Sequence, residues 1–369
     1  MVLADHRPRK EYSGRTPDEH DLHHLDAVSL TGTPAPALDP DRQRRRLGLL
    51  AVLLGTVFSI SSKLQWCLLA AIFFVVAQYV LTRSVEGHRQ AKNGLITSLV
   101  WVAFLLALLP LIGLLYYTVS QGIGVINMTF LTHSMNDISP NQTGGGLYHA
   151  LIATLEQVGL AVAMAGPVGV LTAVYLVEYG NGGPLAKCVT FFVDVMSGVP
   201  SIVAGLFILT FWIMILDMPY TGFAGSLALA ILMLPIVVRS TEEMLKLVPN
   251  ELREASLALG VPKWKTIVRI VLPTSIGGIT TGLMLAVARI IGETAPILML
   301  VFGTDLINNN PFSGPQSSLP LYVYQQYNDG TPASQARAWG AALVLIVLVM
   351  LLNLVARGIA RWKAPKASH

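Results

Sequence analysis

Two full charges, Arg289 and Glu293, stand four residues apart inside the apolar run TTGLMLAVARIIGETAPILMLVF. A charge at the centre of a membrane costs roughly 3 kcal/mol or more unless it is paired or wetted. Residues four apart share one helix face, so two chemistries are open to this pair. In one, the charges neutralise each other and pin helices together. Such pairs are often only neutral for stability, because desolvation offsets attraction. In the other, the guanidinium fork of Arg289 grips an oxyanion bidentately, while Glu293 orients it and tempers its hold. Intramembrane ionisable residues tend to face a pathway, which favours the second reading. Pro296 cannot donate to the Gly292 carbonyl, so the helix is expected to be kinked or open there.

Arg239 is a secondary candidate for the same pathway. It ends an apolar run, where a snorkelling Arg is common, and it is also placed to meet an exiting anion. No residues suggest catalysis, and DEHDLHHLD over 18–26, which has the composition of a metal cluster, reads rather as a solvated tail. His88, His133 and His149 fall in loops or at the ends of runs, no HExxH occurs, and Cys67 and Cys188 have no CxxC or Cys/His partner.

The elements that must hold these charges are membrane helices. The chain is 53% hydrophobic and 12% charged, against about 25% charged in soluble domains. Its mean hydropathy is +0.60. The net charge of +4 gives nucleic-acid binding no support. Apolar runs occupy 47–62, 66–82, 95–118, 151–179, 189–216, 222–238, 274–303 and 338–357, and a span needs about 20 residues. The first two runs read as a hairpin turning at Ser61-Ser62-Lys63. The chain is therefore expected to be an all-α, polytopic bundle of eight spans.

Lys and Arg collect on cytoplasmic loops, and they orient the bundle. Arg42 to Arg46, the 83–92 segment, the 239–269 segment and the tail after Arg357 hold most of them; Asn93 to Ala186 holds none. Eight spans with both termini inside place nearly all of these on one side. The expected organisation is a disordered cytoplasmic tail over 1–45, an additional hairpin and linker over 46–92, a six-span core over 93–361, and a tail over 362–369. Counting 16 residues from Pro273 at 1.5 Å each puts Arg289 about 24 Å along its helix, past the midplane of a ~30 Å core.

The loop between the sixth and seventh runs, 241–273, is too ordered to be a plain connector. Pro249-Asn250 signals a helix start, with Glu251 and Glu254 in the first turn, where acids suit the dipole. Gly260 reads as the residue past the helix end, and Pro262 stops continuation. Leu252, Ala255 and Leu259 make one apolar face, suited either to this chain or to a soluble partner. Glu254-Ala255-Ser256, three residues, Gly260, nine residues and Ile270-Val271-Leu272-Pro273 resemble the EAA-x3-G-x9-I-x-LP loop of ABC importer permeases, with Ser256 in place of the second Ala. The chain has no GxxxxGK[ST] phosphate loop, so it is not expected to bind ATP itself.

The likeness extends beyond that loop. GGGLYHALIATLEQVGLAVAMAGPVGVLTAVYLVEYG, SGVPSIVAGLF, LPIVVRSTEEMLKLVPNELREASLALG, TGLMLAVARIIGETAPILM and LLNLVARG resemble the PstA-type permeases of bacterial phosphate importers, over roughly residues 95–361. The resemblance implies a type I ABC importer permease (MetI-like) core in the bacterial plasma membrane, transporting inorganic phosphate by alternating access and without enzyme activity of its own. Its implied partners are a PstC-type homologous permease, a dimer of ATP-binding subunits carrying ATP and Mg, an external phosphate-binding protein and membrane lipid. Glu251, Glu254, Ala255, Ser256 and Gly260 would then belong to a coupling helix seated on the ATPase. The same machine for sulfate or molybdate is the near alternative, and an ATP-independent anion channel the more distant one.

Overall fold

The computed structural model describes residues 63–85 and 87–363. The tail 1–45 and the run 47–62, the expected first arm of the hairpin, lie outside these residues. The described residues are helical apart from loops and one isolated bridge, Phe302 to Gln316. Chain contacts divide the protein into two units, Met1–Leu105 and Leu106–His369.

In the first unit, α1 (Lys63–Val85) meets the start of α2 (His88–Gly122) through Ser98, which hydrogen-bonds Gln78. Gly87, at φ +91°, makes the turn between them. The run 66–82 falls within α1, whose apolar part, Leu69–Val85, is shorter than a full span.

The second unit carries α3 (Met128–Thr132), α4 (Tyr148–Tyr179), α5 (Pro184–Ser197), α6 (Ser201–Ile215) and α7 (Gly222–Lys246). It continues through α8 (Asn250–Ala258), α9 (Lys263–Ile290), α10 (Ala295–Leu300), α11 (Leu319–Asn328) and α12 (Pro332–Lys363). Among the described residues, α2, α4, α7, α9 and α12 are long and apolar enough to cross a membrane.

The run 189–216, which reads as one span with a flexible bend at Ser197-Gly198-Val199-Pro200-Ser201, is two helices that meet at that bend. The axes of α5 and α6 differ by 107° across Gly198-Val199-Pro200. Pro200 disfavours helical backbone at the residue before it, and Gly198 adds no stiffness. Counted as one bent span, the pair raises the described total to six.

Helices α4, α7 and α9 form the centre. Ala161, Ala165 and Gly169 recur every four residues along α4, a small-residue stripe of the kind that lets membrane helices approach closely. A Cβ at Gly169 would stand 2.7 Å from Val237 Cγ1 of α7. Leu229, Met233 and Val237 of α7 and Ala286, Val287 and Ile290 of α9 complete this core. A second cluster, including Val193, Leu245, Val248, Ile267 and Val271, packs α5 and the start of α9 against the end of α7.

At the opposite end, the loop after α10 is fastened to α4 by polar groups. Gln157 donates to the Ser317 carbonyl at 2.9 Å, Gln316 donates to Glu156 at 2.7 Å, and the Leu319 amide donates to Thr154 at 2.8 Å. This loop leads into a helix, α11, capped by the Ser318 hydroxyl. Arg337 is buried there and donates to Gln326 at 2.7 Å and to the carbonyls of Gln142 at 2.7 Å and Pro140 at 3.0 Å.

Candidate functional site

Helix α9 opens before it carries its charges. Pro273 has no N–H for the Arg269 carbonyl, and a π turn over Ile267–Val271 stands just ahead of it. The helix then runs regularly to Ile290, so Arg289 lies in its last turn. Ile291 and Gly292 form a turn, and α10 restarts the chain at Ala295. The expected run 274–303 is thus broken at 291–294. Pro296, held at the start of α10, packs so closely on α6 that a Cβ at Gly205 would meet its Cα at 2.8 Å.

The break gives the two charges different surroundings. Glu293 leaves the turn and is 9% exposed, whereas the Arg289 side chain is 60% exposed. Arg289 Nη1 donates to Glu293 Oε1. The pairing expected from the four-residue spacing is present, although Glu293 is no longer on the helix. Arg289 has five N–H donors, and only its Nη1 group bonds a described residue. One guanidinium can therefore hold Glu293 with one edge and offer another to an oxyanion. The two chemistries open to this pair are compatible.

Arg239 meets a different set of partners. Its Nη1 donates to Glu242 at 2.7 Å, and its Nη2 pairs with Asp194 of α5. Glu242 also accepts from Lys246 at 2.7 Å. The four charges sum to zero, and the Arg239 side chain is 31% exposed. As an anion contact, Arg239 would compete with two carboxylates already in place. Its position makes it an ionic tie between α5 and α7. Close by, the helices touch through Gly282 of α9, where a Cβ would lie 2.3 Å from Ser240 Oγ.

The loop between α7 and α9 contains the expected helix, α8, over Asn250–Ala258. Gly260 has φ +74°, with nothing within 4 Å of an added Cβ. Glycine is required there by backbone conformation and not by space. The Gly260 amide donates to Leu257 O at 2.9 Å and the Val261 amide to Ser256 O at 3.2 Å, the paired bonds of a Schellman cap. Ser256 is the one residue of α8 that is buried, and its hydroxyl bonds that of Thr266 at 2.8 Å. An alanine could not make this bond, which ties α8 to the start of α9.

Glu251, Glu254 and Ala255 are exposed, and so are Leu252 (42%), Leu257 (48%) and Leu259 (83%). The described residues leave the apolar face of α8 largely uncovered. The helix is held from beneath by Arg253, whose Nε donates to Glu178 Oε1 at 3.0 Å. Its Nη1 and Nη2 donate to Val248 O at 2.6 Å and Leu245 O at 2.9 Å. Lys263 donates to the Glu178 carbonyl and lies 5.0 Å from the Tyr179 ring centroid. Glu178 sits in a π turn at the end of α4, 7% exposed.

In the sequence, Glu178 and Asp194 stand near helix ends, where interface placement accounts for them, and nothing singles out Glu156. Their partners are 75, 45 and 160 residues away. The one local signal was an acidic residue inside or beside an apolar run.

A family profile described as "Binding-protein-dependent transport system inner membrane component" matches residues 165–369. The phosphate transport system permease protein PstA 1 of Mycobacterium tuberculosis is 49% identical over 278 residues, covering 75% of this chain and 90% of that protein. PstA of Mycobacterium leprae is 51% identical over 276 residues, 74% of this chain and 90% of that protein. PstA of Yersinia pestis is 38% identical over 275 residues, 74% of this chain and 92% of that protein. Among solved structures, the inward-facing MetNI methionine ABC transporter aligns at 20% identity and a TM-score of 0.47, over 60% of this chain and 95% of that chain.

Proposed function

We propose a function from one premise: this chain belongs to the PstA family of phosphate transport system permeases, within the binding-protein-dependent inner membrane components. It is a multi-pass membrane subunit of an ABC importer. Its cargo is inorganic phosphate, and it forms one half of the translocation pathway, with both termini in the cytoplasm. A PstC-type homologous permease supplies the other half. A phosphate-binding protein delivers the ion from outside. A dimer of ATP-binding subunits, carrying ATP and Mg, drives the cycle from the cytoplasm.

The observation that carries the cargo assignment is Arg289. It lies in the last turn of α9, left 60% exposed by the described residues, and is committed to Glu293 through one of its nitrogens. Phosphate oxygens match the remaining fork. Glu293 keeps the guanidinium oriented and prevents a grip too tight for release. The coupling surface is α8: its exposed Leu252, Ala255 and Leu259, with Glu251 and Glu254, meet the ATPase. Ser256 and Gly260 hold that helix in shape. Movement of the ATPase passes through Arg253 and Glu178 into α4, and through Ser256 and Thr266 into α9, which carries Arg289.

Competition measures the cargo directly. ATP-dependent uptake of labelled phosphate into vesicles bearing the assembled complex should be suppressed by unlabelled phosphate and unaffected by sulfate or molybdate. Equal suppression by sulfate would refute phosphate selectivity.

A further inference from the structure

A cavity of about 260 Å³ opens between α9 and α12, lined by Thr280, Thr281, Ala288, Asn353 and Arg357 among others. Arg357 and Asn353 are four residues apart on α12 and so share a face. Neither side chain hydrogen-bonds or ion-pairs with any described residue. The two threonine hydroxyls facing them donate to the Ile276 and Gly277 carbonyls at 2.8 and 2.9 Å. The donors offered to the cavity are therefore the guanidinium and the amide of α12.

Two independent counts give the depth of Arg357. Thr280 and Thr281 lie seven and eight residues past Pro273, about 11–12 Å along α9 at 1.5 Å per residue. Helix α12 runs six residues beyond Arg357 to Lys363, about 9 Å by the same rise. Arg357 thus sits about two turns from the end of α12, level with the second and third turns of α9 after Pro273. The Arg357 side chain is exposed, and no carboxylate lines the cavity.

We propose that this cavity is a binding site for a phosphoryl group, held by Arg357 with Asn353 as second donor. The fork geometry of Arg357 suits two phosphoryl oxygens, and basic clefts between membrane helices near a basic surface are the usual setting for anionic headgroups. The apolar remainder of the lining is Met284 and Leu285, of which Leu285 is exposed. The row Thr281, Leu285, Arg289 also runs from the cavity toward the charged turn. The same chemistry therefore serves a lipid phosphodiester or a free phosphate ion in transit. The site does not depend on the cargo assignment.

The test uses the assembled complex in detergent and reads its melting midpoint. Three probes are titrated: phosphatidylglycerol, inorganic phosphate, and diacylglycerol, which has the chains without the phosphate. At least one phosphate-bearing probe should raise the midpoint saturably in the wild type, and Arg357→Gln should lose at least half of that rise. Loss confined to phosphatidylglycerol identifies a lipid site; loss confined to inorganic phosphate identifies a station for the free ion. Should Arg357→Gln fail to assemble, Asn353→Ala, which keeps the cation, must weaken the same response at least threefold. The proposal is overturned if diacylglycerol matches phosphatidylglycerol and inorganic phosphate gives no Arg357-dependent rise. It is overturned equally if wild type and variant respond alike to every probe.

Discussion

Arg253 of the coupling-loop helix and Glu178 at the end of α4 are joined by a 3.0 Å ion pair, with both side chains largely covered. The same guanidinium also caps the carbonyls of Leu245 and Val248. One side chain thus links α4, the end of α7 and α8. Truncating either partner leaves the other charge buried, at a cost of about 3–5 kcal/mol. Arg253→Ala and Glu178→Ala are each expected to lower the melting midpoint of the complex. The double variant should melt near the single ones and not at the sum of their shifts, because the cycle isolates their coupling.

Gly260 is expected to tolerate alanine poorly but measurably. The left-handed conformation costs an L-residue about 1–2 kcal/mol, and no clash is added. Gly260→Ala should weaken capture of the ATP-binding subunit several-fold in pull-down. Gly260→Asn should weaken it less, because Asn is a common second choice at this cap.

Gly282 makes the opposite argument. Its backbone conformation is ordinary helix, and the neighbour is the obstacle: a Cβ there would meet Ser240 Cβ at 2.5 Å. Gly282→Ala is expected to destabilise by about 1–3 kcal/mol through overpacking. Ser240→Gly should restore part of the loss in the same protein, as a thermal-melt cycle would register.

Arg239 ties α5 to α7 through Asp194, beside the bend at Gly198–Pro200. If this tie belongs to one state of the transport cycle, Asp194→Asn should shift the population of states. The expected readout is a changed rate of ATP hydrolysis by the complex without loading by the binding protein. An unchanged basal rate would reduce Asp194 to a structural contact.

What the sequence disclosed follows the range of each interaction. The cap at Gly260 and the Arg289–Glu293 pair depend on residues within four positions, and both are present. The break after Ile290 was foreshadowed by Gly292 and Pro296. The bend at Gly198–Pro200 had the same local cues and reads as a flexible bend, but hydropathy does not report direction, so its 107° angle was not legible. The pairs Glu178–Arg253, Arg239–Asp194 and Glu156–Gln316 are set by how distant helices meet, which no local pattern encodes. Ser256 replaces the second Ala of the loop motif as one small residue for another, and only the fold brings its hydroxyl to Thr266.

The central claim is that Arg289 contacts the transported phosphate while Glu293 holds it in position. The most direct measurement is ATP-dependent uptake of labelled phosphate by vesicles carrying the complex assembled with Arg289→Gln. The account predicts a fall of at least about tenfold, one broken charge-assisted contact of roughly 1.5–3 kcal/mol, with subunit assembly intact. Uptake at the wild-type rate and affinity would contradict it.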